Sequence, residues 1–290
     1  MSRKGLLLIV AVVMASAVAA YAQRFGGQGR GGGRRGGGGE RGFGYQEAPR
    51  RPDAHSFTGD FTFCRLAYRQ AYDQYADGGG WGVDYPRADQ NLSIRLSELS
   101  KAPVNFDEQG DPNYYVVIPT DPELFACPFV MMSEFGGTHF EPDEAKAIRE
   151  YLLKGGFLWV DDSWGTRAWA HWEGEVRKIF PENGEYPIID VPMTHSMFHV
   201  LFDVKKVPQI PSIGRWDQMG GGTSERGEDS AVVHARAITD AKGRIMMFMT
   251  HNTDFGDSYE REGDDPRYFY AFSVDGYAIG IDVLVYAMTH

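Results

Sequence analysis

The sequence predicts an α/β domain built on a mostly parallel central sheet. Two observations carry this reading. Short apolar runs alternate along the chain with segments of helical periodicity, the pattern of strands joined by crossover helices. One of those runs, Phe157-Leu158-Trp159-Val160, is apolar without alternation, as expected of a strand covered on both faces, and it ends in the carboxylate pair Asp161-Asp162. In an open α/β sheet ligands sit at the carboxyl ends of the strands, so the second observation also says where a site should lie.

The elements follow in chain order. Phe61 to Tyr68 is rich in aromatic and β-forming residues and reads as the first strand. After a glycine turn, the loop Trp81 to Asp89 is dense in groups that hydrogen-bond or stack. Asp89 is placed to cap a helix carrying Leu92, Ile94, Leu96 and Leu99. Tyr114 to Ile118 and Phe129 to Met132 form the next strands, the latter delivering Ser133 and Glu134. Pro142, Asp143 and Glu144 suit a helix start, Ala145, Ile148 and Leu152 share one face, and Gly155 stops the helix before the Phe157 strand. A helix from about Arg167 to Ile179 ends before Pro181. His195 and His199 would share a helical face, but Pro192 argues for a loop in which each imidazole is simply hydrogen-bonded. Gly214 to Glu228 reads as a mobile surface loop. Val232 to Ile238 and Arg244 to Met249 are late strands, the second delivering the polar stretch Thr250 to Tyr259. Tyr277, Ile281, Leu284, Val285 and Met288 mark the apolar face of a closing helix.

If these strands are adjacent and parallel, one rim gathers Glu134, Asp161, Asp162, His251 and Asp254, with Trp81, Asp84 and Tyr85 beside them and Trp164 and His195 near by. Clustered carboxylates there suit a divalent cation, Mg²⁺ or Ca²⁺, or one acid raised in pKa for acid–base work. They equally suit a carbohydrate or other polar small molecule, with Trp81, Tyr85 or Trp164 stacked on a ring. The plain alternative is that these groups cap turns and bond to loop backbone.

Composition bounds the rest. At 42% apolar residues the chain can bury a sizeable core, and one domain over residues 56–290 accounts for it. Arg3 and Lys4 precede an uncharged apolar run from Gly5 to Ala20, and Ala20-Tyr21-Ala22 carries small residues where a signal peptidase reads. The expectation is a signal peptide over residues 1–22 and an exported protein, periplasmic or extracellular, or anchored by this segment if it is not cleaved. No transmembrane segment is expected after cleavage. Residues 23–55 form a glycine- and arginine-rich linker expected to be disordered, with seven arginines against three acids. The whole chain carries −11, so the folded part is more acidic still, which argues against nucleic acid as a partner. Cys64 and Cys127 are expected as buried free thiols, with a disulfide as the alternative.

Four stretches, Phe63 to Tyr68 (FCRLAY), Gly80 to Asp89 (GWGVDYPRAD), Gly155 to Asp162 (GGFLWVDD) and the run HSMFHVLFD from His195, resemble a bacterial family known as a domain of unknown function, number 4159. The resemblance implies a three-layer flavodoxin-like sandwich of the class I glutamine amidotransferase-like kind. It also implies partners among cell-envelope proteins, since the family is often found with membrane proteins of the aerotolerance type. A more distant likeness to trehalose-utilisation proteins, on Gly243 to His251, points to the same fold. True amidotransferases need a cysteine on a tight strand-to-helix turn, and neither Cys64 nor Cys127 sits on one. The expected function is therefore a non-catalytic module binding a polar ligand or a partner, with an exported, metal-assisted hydrolase of a carbohydrate or amide as the alternative.

Overall fold

The computed structural model describes residues 48–71, 80–181 and 184–290. The expected signal peptide and most of the expected linker lie outside these. Residues 48–55, read from sequence as linker, lie against the edge of the domain. The Arg50 carbonyl accepts from Val116 N at 2.8 Å and its guanidinium donates to Asn113 Oδ1 at 2.9 Å.

The strands are β1 (Phe63–Leu66), β2 (Arg69–Gln70), β3 (Tyr114–Val117), β4 (Val130–Ser133), β5 (Thr138–His139), β6 (Leu158–Asp161), β7 (Ile189–Asp190), β8 (His234–Thr239) and β9 (Ile245–His251). Seven of them form one sheet in the order β3-β1-β4-β6-β9-β8-β7. The five from β3 to β9 are parallel, in a register that pairs Cys64 with Val130, Ser133 with Asp161 and Leu158 with Met247, whereas β8 and β7 are added antiparallel. The expectation of a mostly parallel sheet is met. From β1 the chain moves outward to β3, then returns to β4 on the other side, so the crevice between β1 and β4 is the switch point where such sheets bind ligands. A small antiparallel pair, β2 with β5, has no counterpart in the sequence reading.

Helices cover both faces. On one side lie α1 (Arg87–Ser100), α5 (Phe255–Glu260) and α6 (Val274–Thr289), packing Leu92, Leu96, Phe255, Tyr259, Ile281 and Leu284 against Trp159 and Phe248. On the other lie α2 (Pro142–Leu153) and α3 (Gly165–Ile179), packing Ile148, Leu152, Trp172 and Val176 against Leu158, Val160, Met247 and Met249. The alternation of strand side chains divides the two cores, with Trp159 facing one and its neighbours Leu158 and Val160 the other. α2 starts as its sequence requires: Pro142 opens it and Glu141 and Glu144 form a capping box. Gly155 follows its end with φ +110°, a backbone that glycine adopts without steric cost. The run Pro266–Thr289 is long and apolar enough to cross a membrane, but 61% of its apolar window is buried in the fold.

Three expectations are corrected. Cys64 and Cys127 are not free thiols but a disulfide, with Cα atoms 6.1 Å apart. β1 and β4 are paired neighbours, and that adjacency brings the two sulfurs together, which sequence distance conceals. Asp89 does not cap α1. It lies inside the helix and pairs through both oxygens with the guanidinium of the fully buried Arg65. The Gly214 to Glu228 segment is not all loop. The short helix α4 (Ile213–Gln218) enters it, with Trp216 edge-on to Tyr268 and Phe272.

Candidate functional site

The site begins with Arg65. From β1 its guanidinium holds Asp89, the carbonyls of Trp81 and Val83, and Ser133 Oγ across the switch point at 2.8 Å. A buried charge needs such a full set of partners, and the consequence is positional. Arg65 draws the loop from Trp81 to Asp89 down onto the strand ends, setting Asp84 over the rim with φ +62°.

The strand ends share a second device. Glu134, Asp162 and Asn252, each the residue that follows its strand, have φ of +51°, +60° and +62°. Left-handed backbone at non-glycine residues costs on the order of 1 kcal/mol or more and persists where the surroundings over-determine it. Here it turns successive strands sharply at their ends. The Glu134 and Asp162 side chains are left buried beside each other, and the Glu134 carboxylate accepts from Gly80 N. Trp164 Nε1 donates to Asp162 Oδ1 at 2.9 Å. Asn252 ties the ends together, accepting from Gly165 N and donating to the Val232 carbonyl.

Asp161 is the most fully bonded of the acids. Thr250 Oγ1 donates to one oxygen at 2.5 Å, and Phe255 N and Gly256 N donate to the other at 2.6 and 3.2 Å. It thus caps the start of α5 rather than the turn that follows it. Burial still pushes its carboxyl up, to about 7.

Asp84, Asp254 and Asp257 complete the rim. One oxygen from each lies within 4.8 Å of the others, and the three side chains are buried. Like charges at that separation repel by about 3–4 kcal/mol at an effective dielectric near 20. Burial first, then the neighbouring carboxylates, hold Asp84, Asp254 and Asp162 well above the usual carboxylate range, and burial pushes Asp257 up to about 6. Of the nearest counter-charges, Arg65 is engaged by Asp89, and Arg261 reaches Asp257 at 3.4 Å while also pairing with Glu260 and Asp264.

The residues singled out in the sequence divide into three groups. Asp84, Glu134, Asp161, Asp162 and Asp254 converge on the rim, with Trp164 bonded to one of them and Trp81, half-buried, forming part of the loop that carries Asp84. His251 stands at the same rim but on the opposite face of the sheet. It lies among Phe135, Trp169 and His234, with Nε2 3.0 Å from the Gly165 carbonyl and Nδ1 without a hydrogen-bond partner among the described residues. Burial lowers its pKa to about 4, so the ring is neutral at ordinary pH. Tyr85 and His195 lie apart from the rim. Tyr85 is buried edge-on to Tyr114 of the edge strand and its hydroxyl accepts from Arg50 N. His195 packs 5.8 Å from Tyr286, whose hydroxyl accepts from Ile245 N at the amino end of β9. It therefore sits at the other end of the sheet, where its Nδ1 accepts from Met197 N in the expected loop. Asp257 is the member that sequence reasoning missed. Its spacing of three from Asp254 at a helix start was the available signal.

A family model described as a domain of unknown function (DUF4159) matches residues 62–288. No curated protein matches the chain.

Proposed function

Because the chain belongs to the DUF4159 family, whose description names no activity, we propose a function from the site itself: an exported cell-envelope domain that binds a polar, hydroxyl-bearing ligand at the carboxyl rim without transforming it. The observation that carries the reading is the pairing of two facts. Six carboxylates gather at one rim, and both cysteines of the chain are tied up in a disulfide. A thiol nucleophile of the amidotransferase kind is thereby excluded, while acceptor oxygens for hydroxyl groups are plentiful. The disulfide also supports the oxidising compartment that the amino-terminal segment suggests. We read the architecture as the three-layer flavodoxin-like sandwich of the class I glutamine amidotransferase-like kind, supported by the parallel strands and helices on both faces.

The test is a thermal-shift and calorimetric screen of the secreted protein against trehalose, maltotriose and N-acetylglucosamine oligomers, with chromatography of each sugar afterwards. Binding of at least one probe, lost in Asp162→Asn and without product, supports the reading. Absence of binding by every probe overturns it, and time-dependent release of product replaces it with a hydrolase.

A further inference from the structure

We propose that Asp84, Asp254 and Asp257 bind one divalent cation of the size of Ca²⁺. This rests on the carboxyl rim being the ligand-binding end of the sheet, as above, and adds the ion and its ligands. Asp84 comes from the loop drawn down by Arg65. Asp254 and Asp257 come from the single turn that joins β9 to α5, where Asp254 Oδ1 accepts from Asp257 N at 2.7 Å.

The ligand set and its span suit a hard divalent cation, the larger one best. Ca²⁺ binds oxygen at roughly 2.3–2.6 Å, which sets neighbouring ligands about 3.4 Å apart and opposite ligands about 4.6–5.2 Å apart. Three oxygens within 4.8 Å of one another fall inside that span. Mg²⁺, at about 2.1 Å, demands near-ideal octahedral geometry and gives up its waters reluctantly, so three buried carboxylates, two of them already committed to backbone donors, favour the larger, less exacting ion. All three donors are hard oxygens, which excludes a preference for soft metals.

A second, independent observation points the same way. Asp84 is only 7% exposed, and its Oδ2 has no hydrogen-bond partner among the described residues. That oxygen points to Gly256, where an added Cβ would lie 2.1 Å from it, so the glycine keeps the space open for the carboxylate. Asp254 spends one oxygen on Asp257 N and keeps the other, whereas Asp257 accepts from Ile213 N and the Tyr268 hydroxyl at Oδ2 and turns Oδ1 toward Arg261. Arg261 reaches Asp257 Oδ1 only at 3.4 Å. A buried carboxylate oxygen with no donor is what a cation would satisfy.

The test uses the full chain, stripped with chelator and titrated with CaCl₂ and MgCl₂ by calorimetry, and with Tb³⁺ by luminescence. The Tyr268 hydroxyl lies 3.5 Å from Asp257 Oδ2, so it sensitises a lanthanide bound there. The expected result is one Ca²⁺ per chain, bound at least tenfold more tightly than Mg²⁺, with a raised melting temperature and Tb³⁺ emission that falls in Tyr268→Phe. Asp84→Asn, which is isosteric, and Gly256→Ala should each weaken Ca²⁺ at least tenfold, whereas the exposed Asp203→Asn should change nothing. Circular dichroism establishes that each variant is folded. No Ca²⁺ heat, or unchanged affinity in folded Asp84→Asn, overturns the proposal. Sugar binding with no Ca²⁺ heat leaves the proposed function standing and removes only the ion, and Ca²⁺ binding with no sugar bound does the reverse.

Discussion

The two ends of the central sheet treat charge in opposite ways. At the amino end Arg244 pairs with Asp240 and donates to the carbonyls of Leu152, Gly155 and Gly156, so one side chain closes the end of α2 and the start of two strands. His195 and Tyr286 are bonded there too. At the carboxyl end the acids outnumber the cations, Asp84 Oδ2 and His251 Nδ1 lack partners among the described residues, and three residues after strands hold left-handed backbone. Stability is served at one end. The other keeps buried polar groups that a bound ligand would satisfy.

This contrast can be broken from either end. The largest effect should come from Arg65→Met, which leaves Asp89 as an uncompensated buried charge and frees the Trp81 to Asp89 loop. A loss of about 3–5 kcal/mol is expected in urea denaturation. A cost below about 1 kcal/mol would mean that the carboxyl rim is not organised by this residue.

Acid should come next. His251 has a folded pKa lowered to about 4 by burial, and it is flanked by Arg236 and His234 on β8 and by Asp229 before it. The unfolded imidazole takes up a proton near pH 6.5 and the folded one resists, so this stability is fully present above pH 6.5 and is lost as pH falls toward 4. Asp161, raised to about 7, acts in the opposite sense, favouring the fold at low pH and losing that contribution as pH rises through about 7. His251→Phe removes the first contribution alone. Relative to the wild type it should gain up to about 3 kcal/mol between pH 6.5 and pH 4, and denaturation at the two pH values measures that. Equal pH dependence in both proteins would place a charged imidazole in the folded state.

The smallest effect belongs to the amino end. Arg244→Ala removes one ion pair and three carbonyl contacts at a half-buried site, for a loss of about 1–2 kcal/mol in thermal melts. It should leave Ca²⁺ and sugar binding unchanged. Altered binding would show that the two ends are coupled.

Most of the framework was readable from the chain because it depends on periodicity. The run from Phe157 to Val160, the helix opened by Pro142 and the acids at strand ends all fall where the patterns place them. What escaped depends on three-dimensional neighbours. β7 and β5 are two residues long and leave no periodic mark. The Cys64–Cys127 bridge depends on β1 and β4 pairing over a separation of 63 residues. For His251 the needed signal was present. Met247 and Met249 alternate with it on one face, so counting along β9 turns the imidazole away from Asp161, which faces the other core. His195 shows the converse error, a reactive residue type admitted to the site on sequence order alone.

The disulfide has one consequence for how the rim can move. It ties β1 to the segment that leads into β4, the two strands that flank the switch-point crevice, which restrains them from sliding past each other. A ligand of the proposed kind would have to enter by displacing the coverings, the Trp81 to Asp89 strap or the α5 turn, over a floor held in place beneath them.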